Sequence, residues 1–260
     1  MRKKRFIVSL TWELKSLFRF PFPEVLLALF TYMIFLPRGG GFSFSVSSES
    51  LIWEEMTRTI AFHSARNVAQ FSFFAYLPMG IFASIFATLA FAYEIENGLL
   101  KVHLSHPISR RSIFLAKLLS CFLIVFMTFS ASLLSYTFLH ITENALYLIL
   151  SPDLILKVLL MATLQSLFMM SVTISFSLYS GKTSVSLIGS FATIYLIQLL
   201  SESANLEFLP PISFREQAYF LFSKTTPELS QLPSFLTLPL VSVFLIIFSY
   251  LFFSRRLEVG

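Results

Sequence analysis

The sequence predicts an all-α membrane protein: six transmembrane helices preceded by an N-terminal interfacial amphipathic helix, with both termini cytoplasmic. Three observations predict it. Hydrophobic residues make up 56% of the 260-residue chain and charged residues only 13%, where soluble domains run at about 45–50% and about 25%. The apolar residues, 32 phenylalanines among them, collect into uncharged runs long enough to cross a hydrocarbon core of ~30 Å, which takes ~20 residues. The lysines and arginines collect at the ends of those runs, on alternate sides. A single transmembrane domain, residues 1–260, accounts for the whole chain. Six spans and their loops leave no room for a separate soluble catalytic domain.

The elements follow in order. Met1–Arg5 resembles the basic start of a signal peptide, but the apolar stretch Phe6–Thr11 ends at Trp12 and Glu13, too short for such a segment. Instead Ile7, Leu10, Leu14 and Leu17 recur at helical spacing, with Ser9, Glu13, Ser16 and Arg19 elsewhere on the wheel. This pattern predicts an interfacial helix over about 5–19, its basic residues near anionic headgroups. Pro21 and Pro23 break it. A first span over about 23–42 follows, built on the short apolar run Val25–Pro37. The uncharged runs Phe71–Tyr93, Leu118–Leu139, Val158–Gly181, Thr183–Ser201 and Leu229–Ser254 predict five more, over about 71–93, 113–139, 156–180, 183–201 and 233–254.

Charge sets the orientation. With the N-terminus inside, the inner segments hold thirteen basic residues: Arg2, Lys3, Lys4, Arg5, Lys15, Arg19, Lys101, Arg110, Arg111, Lys117, Lys182, Arg255 and Arg256. The longer outer segments hold six: Arg38, Arg58, Arg66, Lys157, Arg215 and Lys224. Both termini are therefore expected in the cytoplasm and the protein in the cell membrane. The net charge of +5 belongs to these flanks and not to a nucleic-acid surface. Two outer segments stand out. Within Arg38–Gln70, the stretch Leu51–Arg66 has helical character; within Glu202–Glu228, the aromatic-rich Ile212–Phe222 either dips into the outer interface or forms a plain loop.

The most distinctive stretch is the inner segment of about 94–111, between the second and third spans. Two carboxylates, Glu94 and Glu96, close the second span, and Gly98 lets the backbone turn. Leu99, Leu100, Val102, His103 and Leu104 form an apolar segment too short to cross a membrane. Pro107 ends it, and Ser109 is placed to cap the third span. A brief apolar helix at a membrane surface has nothing of its own to bury against, so a protein partner is expected there.

The order acid-x-acid-x-Gly, short apolar helix, Ser-x-Pro-Ile-Ser-Arg resembles the loop after the second span in ABC transporter permeases of the type-2 exporter family. The interfacial helix, six spans and irregular outer segment before the last fit the same plan. The resemblance implies a permease subunit whose loop docks on a separate ABC ATPase subunit. It implies that coupling role for Glu94, Glu96, Gly98, Leu99, Leu100, Leu104, Pro107, Ile108, Ser109 and Arg110. It also implies ATP and Mg bound in the partner, no cofactor in this chain, and a homodimer or pairing with a similar permease. In the family the second and fifth spans face the dimer axis, which makes Ser84, Thr88, Thr193 and Gln198 candidates for a substrate path. So apolar a lining suits an amphipathic or lipid-like substrate.

Other signals lead elsewhere. Ser180-Gly181-Lys182-Thr183-Ser184 ends like a phosphate-binding loop, but Phe176 stands where the second glycine belongs, so it reads as the tight turn between the fourth and fifth spans. His103 and His106 lack further ligands for a metal. The uncharged runs carry no ionisable group, which disfavours ion coupling and an intramembrane enzyme. A non-transporting assembly protein is the remaining alternative. Polar residues within the runs, such as Gln165, Ser175, Ser177 and Ser186, have interhelical hydrogen bonding as their default role.

Overall fold

The structure, a computed structural model, describes residues 2–19, 68–100, 109–139, 152–204, 206, 208–222 and 232–256. The expected first span and Leu51–Arg66 lie outside these residues, as do Leu104, Pro107 and Ile108 of the inner segment. The described residues form helices and turns, with no strand among them. We label the helices α1 (Arg2–Arg19), α2 (Tyr76–Glu96), α3 (Arg110–Leu139), α4 (Pro152–Ser180), α5 (Thr183–Ser203), α6 (Ile212–Phe222) and α7 (Leu232–Arg256). Five of them, α2, α3, α4, α5 and α7, are long and apolar enough to cross a membrane. They are the five uncharged runs of the sequence.

Residues 68–74 form a helical segment leading into α2, with a turn at Ala75. Pro78 explains the turn: it has no N–H to give to the carbonyl of Phe74, four residues back. Near its other end α2 widens into a π-helical turn at Thr88–Ala92. One extra residue in a turn rotates everything after it by about 100°. That rotation decides where Glu94 and Glu96 point.

α4 is the central helix, packing on α2, α3, α5, α6 and α7. Its polar residues make the cross-helix bonds. Gln165 Nε2 donates to Ser72 Oγ at 2.8 Å, Ser175 pairs with Ser249 of α7 at 2.7 Å, and Ser177 pairs with Ser186 of α5 at 2.7 Å. Such bonds average ~0.6 kcal/mol each in a membrane, so their geometry fixes register more than it adds stability. Ser171, Thr173, Ser190 and Thr193 instead donate to carbonyls of their own helices. α5 lies close against its neighbours at two glycines. A Cβ on Gly189 would run into the Phe176 ring, and one on Gly80 would stand 2.8 Å from Ile194. Glycine is what lets these helices approach.

α6 forms over the aromatic-rich stretch before the last span and packs back on the bundle. Phe214 is buried against Tyr76 and Phe168, with ring centroids 6.0 Å from each. α5 and α7 bury little of their apolar length within the chain, 17% and 22%, against 67% for α2. Their outer faces are left for lipid or another protein.

Candidate functional site

The site lies where α2 ends and α3 begins. Every described helix except α6 has an end or a face there. α2 stops through a glycine cap: Asn97 N–H donates to Tyr93 O, Gly98 N–H donates to Ile95 O at 3.2 Å, and Gly98 takes φ +70°. Only glycine adopts that backbone without strain. α3 starts at Ser109, whose Oγ accepts the Ser112 N–H at 3.3 Å, the bond expected of a helix N-cap.

Two ion-pair and hydrogen-bond sets tie this junction to the bundle. Lys117, two turns into α3 and fully buried, lies 2.9 Å from a Glu13 oxygen of α1 and 2.5 Å from Glu94 Oε1. Burial pushes the Glu13 carboxyl above the usual glutamate range; the Lys117 ammonium pulls it down and the neighbouring Glu94 pushes it up. On the other side of α2, Glu96 accepts the backbone N–H of Thr183 at 2.8 Å and also its hydroxyl. Glu96 thus caps α5, where unsatisfied N–H groups and the helix dipole favour a carboxylate. The turn at Gly181 and Lys182, which mimics a phosphate loop, holds α4 to α5 with Gly181 at φ +61°.

α7 also reaches the junction. Arg110 Nη1 donates to Ser254 O at 3.3 Å and Arg111 Nε donates to Tyr250 Oη at 2.9 Å. Beneath them Phe114 packs on Tyr250 and Phe253, each at 5.4 Å between centroids, and Phe91 joins at 5.9 Å from Phe114.

The expected coupling residues divide by this geometry. Glu94 is buried, Glu96 and Ser109 are exposed, and Gly98 and Arg110 are half-buried. Leu100 is buried at 4% exposure while Leu99 is exposed at 42%. Of the candidate path residues, Thr88 bonds Ser186 at 2.8 Å and Ser84, fully buried, donates to Gly80 O. Thr88 thus links α2 to α5, while Ser84 bonds within α2. Thr193 and Gln198 lie half-buried on α5, Thr193 donating to Gly189 O and Gln198 to Glu202 at 2.6 Å, both within their own helix.

The part played by Lys117 and Glu13 was not among the expectations. Helical spacing places Glu13 away from the apolar face of α1, yet the structure buries it and leaves Ile7, Val8 and Trp12 exposed. The expected span of about 113–139 already takes in Lys117, and α3 begins three residues earlier, at Arg110. The signal that was available is a single charge pattern: one lysine just inside a span, and acids just outside another. No group of three His, Cys, Asp or Glu among the described residues is arranged to hold a metal.

Five helices among the described residues, each long and apolar enough to cross a membrane, define a multi-pass membrane protein. Residues 13–256 match the family described as ABC-2 family transporter protein, and the chain belongs to that family. It is a membrane permease component of an ABC transporter. A search among curated proteins returned no match.

Proposed function

We propose that the chain is the membrane half of an ATP-driven exporter, moved by a separate ATPase subunit that docks on segment 94–111. ATP and Mg are bound and consumed in that partner, and this chain pairs with a second copy or a similar permease through the face that α5 leaves exposed. Both termini and the docking segment lie in the cytoplasm of a cell whose membrane the bundle crosses. α1 rests in the adjacent interface, with Ile7, Val8 and Trp12 turned to lipid.

One observation carries this reading. The segment's two roots are held to the bundle by Glu94 on Lys117, Glu96 on Thr183 and Arg110 on Ser254, while Leu99 between them is left exposed. A push on the segment would reach α1, α3, α5 and α7 through those bonds rather than dissipate in a loose loop. ATP binding moves the spans only if the docked segment is favoured differently in inward- and outward-open states. Thr193 and Gln198 remain placed for a path between two copies, with apolar surroundings that suit an amphipathic substrate.

The test is purification of the tagged chain from its own membranes, with the co-purifying proteins identified by mass spectrometry. The wild type is expected to carry a subunit with a complete phosphate-binding loop, and Leu99→Glu to insert normally but lose it. Retention of that subunit by Leu99→Glu at wild-type level would overturn the docking assignment.

A further inference from the structure

We propose that the cleft between α3, α4 and α7 binds an anionic phospholipid, seating one acyl chain in the cleft and its phosphate at Arg111. The cleft has a volume of about 290 Å³ and lies among Leu115, Leu119 and Phe122 of α3, Leu167 and Met170 of α4 and Ile246 of α7. No polar side chain lines it, so it favours hydrocarbon over a hydrogen-bonding ligand. Its size is at the floor of the ~300–1,000 Å³ usual for compact small molecules, which fits a single chain better than a bulky one. Leu115 is half-exposed, so the cleft opens sideways toward the bilayer.

The mouth supplies the charge. Arg111, Leu115, Leu119 and Phe122 form one stripe of α3, four, four and three residues apart. Tyr250 stands one turn beyond Ile246 on α7. The Arg111–Tyr250 hydrogen bond therefore runs between α3 and α7 one turn above the lining residues, at the basic end of the bundle. That bond uses the Nε–H, which leaves the two terminal amino groups of the guanidinium to receive a phosphate in a fork. Exposed Arg255 lies at the same end of α7. Basic groups between spanning helices at a membrane surface are the usual seat of anionic headgroups. A zwitterionic lipid presents the same phosphate to Arg111 but carries an ammonium that offsets the basic mouth, so the charge of Arg111 and Arg255 selects an anionic occupant.

The experiment uses the full chain in nanodiscs of phosphatidylcholine doped with spin-labelled phosphatidylglycerol or spin-labelled phosphatidylcholine, and reads the motionally restricted fraction of each. It needs no ATPase and no transported substrate, so its outcome is independent of the transport reading. The wild type is expected to prefer phosphatidylglycerol by about fivefold, the effect of one arginine near a surface. Arg111→Gln should lower phosphatidylglycerol to the phosphatidylcholine level, and Leu119→Trp, which fills the cleft from its lipid side, should lower both. Tyr250→Phe, which frees Arg111 from its support without removing charge, should give an intermediate preference. Equal restriction of both lipids by the wild type would overturn the proposal, as would an undiminished preference in Arg111→Gln or unchanged restriction in Leu119→Trp.

Discussion

Lys117 sits between two carboxylates from different helices, and the three groups answer for one another. Removing one partner of a buried ionic cluster leaves the others desolvated without compensation, which costs about 3–5 kcal/mol. Lys117→Met is therefore expected to lower the thermal midpoint sharply in a fixed detergent, and adding Glu13→Gln and Glu94→Gln should restore most of it. The loss should also depend on pH. The folded Glu13 carboxyl holds its proton more tightly than in the unfolded chain, and taking away Lys117 removes the group that lowers its pKa. Stability of Lys117→Met should then be greatest in acid and fall as pH rises through the folded value. Thermal melts between about pH 5 and about pH 8 check this; a flat profile contradicts it. This cluster was not legible in the sequence, because hydropathy records where a charge is tolerated and not which distant charge pairs with it. Leu99 and Leu100 show the same limit: adjacent leucines with opposite exposure.

At the scale of the element, most was legible. Each of the five described spans is built on one of the uncharged runs, because a missing charge over such a length is the physical requirement for crossing, although α2 and α3 continue past theirs into charged residues. The cap at Ser109 and the turns at Gly98 and Gly181 were legible too, since each depends on local backbone chemistry. The π-helical turn at Thr88–Ala92 was not, because no residue in it requires the extra position. It turns Glu94 inward and Glu96 toward Thr183, which a regular helical wheel would not place. Two predictions belong here. Gly189→Ala places a Cβ against the Phe176 ring and should cost about 1–3 kcal/mol by overpacking; Phe176→Leu in the same chain should recover much of that loss in a thermal melt. Glu96→Ala should speed amide hydrogen exchange in the first turn of α5 and leave α4 unchanged. Equal exchange in both proteins would show that Glu96 does not cap α5.

Across the described residues, α4 packs on the other spanning helices while α5 and α7 leave apolar faces outward, and the bonds of Glu94, Glu96, Arg110 and Arg111 gather at one end. That asymmetry is what a membrane protein driven from one side requires: a rigid connection at the driven end and free faces along the spans. Photo-crosslinking from position 99 tests the central claim most directly. With benzoylphenylalanine in place of Leu99, native membranes should yield an adduct with an ATP-binding subunit, while the same probe at Tyr195, exposed on the spanning helix α5, should yield none with that subunit. An adduct from Tyr195 alone, or none with any ATPase from position 99, would contradict the account.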